Sequence, residues 1–104
     1  QAMIRIVRSI FVRPADGSSE WAALPIVPTT ATLDIETSHE DEGRLTTYDL
    51  TATLRFLPKV VYDDVQVRVI FDDNTTEAFG TPDVPVRFTT SHTDVCTIEC
   101  SYEY

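Results

Sequence analysis

The chain has 104 residues, 42% of them hydrophobic and 24% charged, with three glycines and six prolines. One domain spanning 1–104 is expected, and a domain of this size buries roughly two-thirds of the surface its unfolded chain exposes, enough to fold without metals or disulfides. This composition excludes wholesale disorder and low complexity, and a formal net charge of −9 argues against nucleic acid and anionic membrane surfaces as partners.

Residues 3–13 read as a strand, with Ile4, Ile6 and Ile10 on one side and Val7 and Phe11 on the other. Such two-sided apolarity fits burial on both faces or contact with a partner subunit. Its arginines break up any signal-peptide apolar core, and no stretch approaches the ~18–20 apolar residues of a membrane span. Met3 fits a natural first residue with Gln1-Ala2 added ahead of it; a trimmed mature chain is the other reading. Residues 1–15 hold Arg5, Arg8 and Arg13 and no acid, whereas Asp16–Tyr104 holds five basic and seventeen acidic residues, a charge of −12. Either the arginines pair with acids of neighbouring strands, or this basic strand docks on the acidic face of another copy. Residues 20–28, with Trp21 and Ile26-Val27, give a weaker strand, and the lone Trp is expected in the core.

The clearest signal is period-2 alternation. Ala31, Leu33 and Ile35 share a face, as do Thr46, Tyr48, Leu50, Ala52, Leu54 and Phe56. The polar stretch Ser38-His39-Glu40-Asp41-Glu42-Gly43 connects them, so 31–38 and 44–57 form a long β-hairpin. Val65, Val67, Val69 and Phe71 make an inward row, Asp72-Asp73-Asn74-Thr75 a turn, and Thr76–Phe79 a short return strand ending at Gly80. Val84, Val86 and Phe88 form another row; Pro82 and Pro85 place it at an edge or a strand start. A last strand runs over about 94–103. No segment carries a sustained 3.6-residue stripe. The expected fold is all-β, an antiparallel β-sandwich of about seven to eight strands, with a partly closed β-barrel as the alternative.

Cys96 and Cys100 lie four residues apart on one face of that last strand, beside Ile98 and Tyr102. At ~3.3 Å per residue their Cα atoms stand about 13 Å apart, beyond the ~7 Å a disulfide tolerates. Buried reduced thiols are expected, leaning towards a reducing compartment. A zinc site is disfavoured, because Cys-x3-Cys on an extended strand splays the ligands and only His39 and His92 remain to complete it.

His39 and His92 each follow a serine and precede an aspartate (Asp41, Asp94) in expected turns. Residues adjacent in one turn do not converge as a nucleophilic triad does. Glu40-Asp41-Glu42, Asp63-Asp64 and Asp72-Asp73-Asn74 invite a calcium reading. With Asp72 as position 1 of an EF-hand, however, Glu77 falls where glycine is needed and Asp83 replaces the bidentate glutamate. Glu40 and Glu42 sit in a hairpin tip rather than across a glycosidase cleft. Trp21, Tyr102 and Tyr104 would make a sugar-stacking platform only if exposed. No catalytic, cofactor-binding or metal-ligating residue is assigned, and no cofactor is expected.

From about residue 30 onward, the order of features resembles small structural proteins encoded in phage-like regions of gut Bacteroidetes genomes. The matching elements are Thr32–Glu36, the turn Glu40-Asp41-Glu42-Gly43, Thr47-Tyr48-Asp49-Leu50, Phe79-Gly80-Thr81-Pro82 leading to Pro85-Val86-Arg87-Phe88, and the final alternating strand. The resemblance implies a subunit built in the host cytoplasm and assembled in many copies into a virion or tail-like particle; no catalytic residue carries over. The leading expectation is a non-enzymatic structural or assembly subunit acting through a protein partner, self-association included. The alternative is an extracellular Ig-like binding module for carbohydrate or adhesion, with cation-binding acidic loops.

Overall fold

The computed structural model describes residues 2–40, 43–90 and 95–103. Eight strands follow in chain order: β1 (Ala2–Pro14), β2 (Ala22–Ala23), β3 (Ala31–Glu40), β4 (Gly43–Thr53), β5 (Val61–Phe71), β6 (Thr76–Phe79), β7 (Val86–Thr89) and β8 (Val95–Glu103). All pair antiparallel in one sheet of order β6-β5-β1-β3-β4-β8, with β2 on β1 and β7 on β5. Among the described residues there is no helix, and so none long and apolar enough to cross a membrane.

The sheet curls until its ends approach. β6 and β7 share one edge of β5, β7 runs alongside β8, and the Cys96 thiol donates to the Thr89 carbonyl at 3.5 Å. Tyr48 on β4 stacks on Phe79 of β6 with ring centroids 5.0 Å apart, so opposite walls touch through the interior. The two layers expected of a sandwich are thus facing walls of one curled sheet, and the partly closed barrel describes the all-β fold.

β1 makes the curl possible by serving two neighbours. Residues Ala2–Val7 pair with β3 and Val7–Pro14 with β5. At the changeover Val7 faces Phe71 and Ser9 faces Ile70, leaving Arg8 as the extra residue of a bulge, which bends the strand and shifts its alternation. Val7, Ile10 and Val12 therefore all point inward, while Ile4 and Ile6 stand 69% and 52% exposed. The expected grouping of Ile4, Ile6 and Ile10 on one face is corrected by this single residue.

The inward rows pack as the alternation requires. Ala31, Leu33, Leu50, Ala52, Val67, Val69, Phe71 and Ile98 are all buried. The β3–β4 ladder runs from Thr32↔Thr51 to Glu40↔Gly43, so His39 is not in a turn but in a strand opposite Arg44. The hairpin tip narrows to residues 41 and 42, which lie outside the described residues, as does the expected turn 91–94 with His92 and Asp94. At its other end β4 stops at Thr53 rather than continuing to residue 57. There the Val27 N–H donates to the Thr53 carbonyl at 2.8 Å and the Arg55 N–H to the Pro25 carbonyl at 2.7 Å, with Ile26 bridging Leu54. Segment 25–27 thus takes over the pairing, and the expected strand at 20–28 reduces to this bridge and two-residue β2.

The turn Asp72–Thr75 and the return strand Thr76–Phe79 form as expected. The Asn74 N–H donates to the Phe71 carbonyl at 3.0 Å, and Asn74 adopts φ +71°, a conformation Asn tolerates well.

Candidate functional site

The three arginines of β1 are spent within the molecule: Arg5 and Arg8 on the turn after β5, Arg13 on a glutamine of β5, and only Arg5 on an acid. The Arg5 guanidinium lies 3.7 Å from the Phe71 ring centroid and donates to Asp73 Oδ2 at 2.8 Å and Thr75 Oγ1 at 2.9 Å. Arg8 donates to Asn74 Oδ1. The Thr75 hydroxyl and N–H hold the Asp73 carboxyl below its usual range, with Arg5 adding to the effect. Arg13 donates to Gln66 Oε1 at 2.9 Å. Trp21 is not in the core: it is half-buried on the outer surface between Arg13, 4.3 Å from its ring, and Arg68 at 5.1 Å. A ring covered by two guanidinium groups is no open sugar-stacking platform.

The expected thiols are buried. Cys96 and Cys100 are 3% and 7% exposed and form no disulfide. Burial pushes the Cys96 thiol above its ordinary value of 9.0. The unfolded chain ionises this thiol near 9.0 while the folded chain keeps it protonated, so stability is expected to fall as pH rises above that value. Ellman's reagent should label neither thiol in the native protein and both in denaturant. Rapid native labelling would show that β8 opens readily.

Other acids go to loops and bulges. Asp63 and Asp64 form an irregularity in the β5–β7 ladder, with Asp64 at φ +52°. Among the described residues no group of three His, Cys, Asp or Glu side chains could hold a metal ion. His39 lies exposed on β3 and does not line the cleft at the start of β5.

Three surface features stand out. The first is a row across the outer face of four strands, set by the register Ile4–Asp34–Asp49–Glu99. Like charges directly opposite one another destabilise a sheet. Moreover, Asp34 Oδ1 and Asp49 Oδ1 are shielded from solvent without accepting a hydrogen bond. Ile4 and Ile6 stand exposed beside them.

The second is an open cleft of about 700 Å³ where β1 ends and β5 begins. Val12 and Val65, both buried, form its floor; Pro14, Tyr62, Pro82 and Pro85 wall it; and Asp16, Glu20, Asp63 and Asp64 stand exposed around it. Tyr62 is braced by stacking on Phe88 at 4.8 Å.

The third is the loop joining β4 to β5. Phe56 was expected on the inner face but is 84% exposed with φ +46°. Arg55 and Lys59 flank it, both exposed and without an ion-pair partner among the described residues. Buried Thr90 holds the loop: its hydroxyl donates to the Pro58 carbonyl at 2.6 Å and accepts from the Val60 N–H at 2.8 Å. Replacing Thr90 by valine removes both bonds and strands a buried amide. An expected loss of about 1–3 kcal/mol follows, with faster hydrogen exchange at Val60. An unchanged Val60 exchange rate would contradict this role for Thr90.

Reasoning from sequence missed the cleft, whose lining comes from three separate segments, 12–22, 62–65 and 82–85. The loop did leave a signal: between Asp49 and Asp63 this acidic chain has no acid, yet it has Arg55 and Lys59 around an aromatic. No family model, curated protein or solved structure matches the chain. The fold defines a small all-β protein, a partly closed antiparallel barrel.

Proposed function

We propose that the protein is a non-enzymatic assembly subunit that works through protein–protein contact. The observation that carries this reading is the outer row on β1, β3, β4 and β8, where two exposed isoleucines adjoin aligned carboxylates. Elsewhere the outer positions of β3 and β4 are mostly threonines and acids, with Ser38 opposite a half-buried Leu45 towards the hairpin tip. Exposing Ile4 and Ile6, and aligning Asp34 with Asp49 and Glu99, lowers the stability of the isolated chain. A partner that covers the isoleucines and brings cationic donors to the carboxylates relieves both costs. The outer edge of β8, which among the described residues forms a ladder only with β4 and meets β7 beside Cys96, offers the same partner backbone groups.

If the sequence resemblance to structural proteins of phage-like regions holds, the subunit would be built in the host cytoplasm before assembly into a particle. The binding-module alternative receives less support, since Trp21 is covered by Arg13 and Arg68. Light scattering on size-exclusion fractions tests the proposal. The mass is expected to rise with protein concentration, and to rise less when Ile4 and Ile6 are both changed to threonine. A monomer at every concentration, alone and mixed with the products of neighbouring genes, would count decisively against it.

A further inference from the structure

We infer that the Arg55–Lys59 loop of one copy docks in the cleft of a second copy, with Phe56 as the anchor; this rests on the assembly reading and adds a second contact, separate from the Ile4/Ile6 row. The two surfaces match in shape, polarity and charge. The loop is convex, carries a nearly fully exposed aromatic ring, and holds two cations with no ion-pair partner among the described residues. The cleft is concave, with an apolar floor of Val12 and Val65 beneath walls that include Tyr62 and Pro85. Its rim bears four carboxylates, of which Asp63 already lies 3.9 Å from Arg87 in an exposed ion pair, and its one lining arginine, Arg13, is bound to Gln66 and Trp21. A chain of net charge −9 repels copies of itself, so self-contact has to be made where its few unpaired cations meet its acids.

The loop is also fixed before binding. The Arg55 N–H is bonded to Pro25, and the Pro58 carbonyl and the Val60 N–H to Thr90, so little conformational freedom is lost on docking. Phe56 holds a left-handed backbone conformation that costs a non-glycine residue energy, and in the single chain this displays the ring to water. The loop runs directly into β5, whose residues Tyr62, Asp63 and Asp64 line the cleft. Loop and cleft therefore share one end of the barrel, and two copies exchanging loops close on each other as a two-fold dimer rather than an open fibre.

Sedimentation velocity on the full chain tests this with Phe56→Ala and two charge-reversed proteins, Arg55→Glu/Lys59→Glu and Glu20→Lys/Asp63→Lys. Wild-type protein is expected to dimerise. Phe56→Ala is expected to weaken the dimer about thirtyfold or more, the loss common when an anchoring aromatic is truncated. Each charge-reversed protein alone is expected to lose this dimer. Mixed one to one, they are expected to form a heterodimer, because every reversed loop then meets a cleft of opposite sign. Circular dichroism melts show that each variant is folded, and recovery on mixing cannot come from a misfolded chain. Wild-type association that survives all three variants would overturn the docking while leaving the assembly reading intact. Loss of association only when Asp34, Asp49 and Glu99 are neutralised would do the same. A wild-type chain monomeric throughout would overturn the docking, and the assembly reading would fail with it if neighbouring-gene products also leave it monomeric.

Discussion

Replacing Phe71 by alanine is expected to lower unfolding free energy by about 3–5 kcal/mol, a large share of the ~5–15 kcal/mol that holds a domain of this kind together. Three structural roles meet at this side chain. Its ring is 1% exposed at the end of the inward row of β5. It faces Val7 at the changeover of β1, and it carries the Arg5 guanidinium on its outer face. Removing it opens a cavity and withdraws the surface on which Arg5 lies, while Asp73 and Thr75 still hold that arginine in place. Phe71→Leu keeps much of the volume and should cost clearly less. Urea unfolding of the two variants decides the matter, and equal losses would show that the ring packs no better than any apolar group.

Gly80→Ala is expected to cost about 3 kcal/mol, from backbone strain and steric overlap together, and to lower the melting temperature by roughly 15 °C. Gly80 follows β6 with φ +100°, and a Cβ there would stand 2.7 Å from the Val65 carbonyl oxygen and 3.0 Å from Val86 Cγ2. The backbone of β5 and the side chain of β7 would both have to give way, next to the floor of the cleft. Gly17 supplies the control. It also has positive φ, at +74°, but a Cβ would meet nothing nearer than Arg13 at 3.9 Å. Gly17→Ala should therefore show the conformational cost alone, about 1 kcal/mol. Comparable melts for the two alanine variants would mean that the approach of Gly80 to β5 is not close in solution.

The strands were legible wherever alternation was uninterrupted. The inward rows at 46–54, 65–71 and 96–100 could be read directly, because side chains switch sides at every residue and one side must be apolar. The thiols followed from the same geometry. Alternation failed where one residue broke its phase: Arg8 in the β1 bulge moved Ile4 and Ile6 to the surface. It failed again where a neighbour captured the backbone, as segment 25–27 did after Thr53, leaving Phe56 outside. Trp21 was misplaced for a different reason: composition cannot show that Arg13 and Arg68 will lie across its ring. That one sheet closes on itself, rather than two sheets stacking, depends on β5 offering one edge to both β6 and β7 and the other to β1, a pairing between segments far apart in the chain. The cleft is invisible in the sequence for the same reason. Its acids read as separate turns, and only the fold brings Asp16 and Glu20 beside Asp63 and Asp64.

Amide hydrogen exchange, compared between dilute and concentrated protein, measures most directly whether this molecule works by being covered. Concentration is expected to slow exchange in the loop 55–60, around the cleft, beside Ile4 and Ile6 and along the outer edge of β8, while the interior of β5 keeps its rate. Identical exchange at every amide from micromolar to millimolar concentration, unchanged when the products of adjacent genes are added, would contradict a role in assembly.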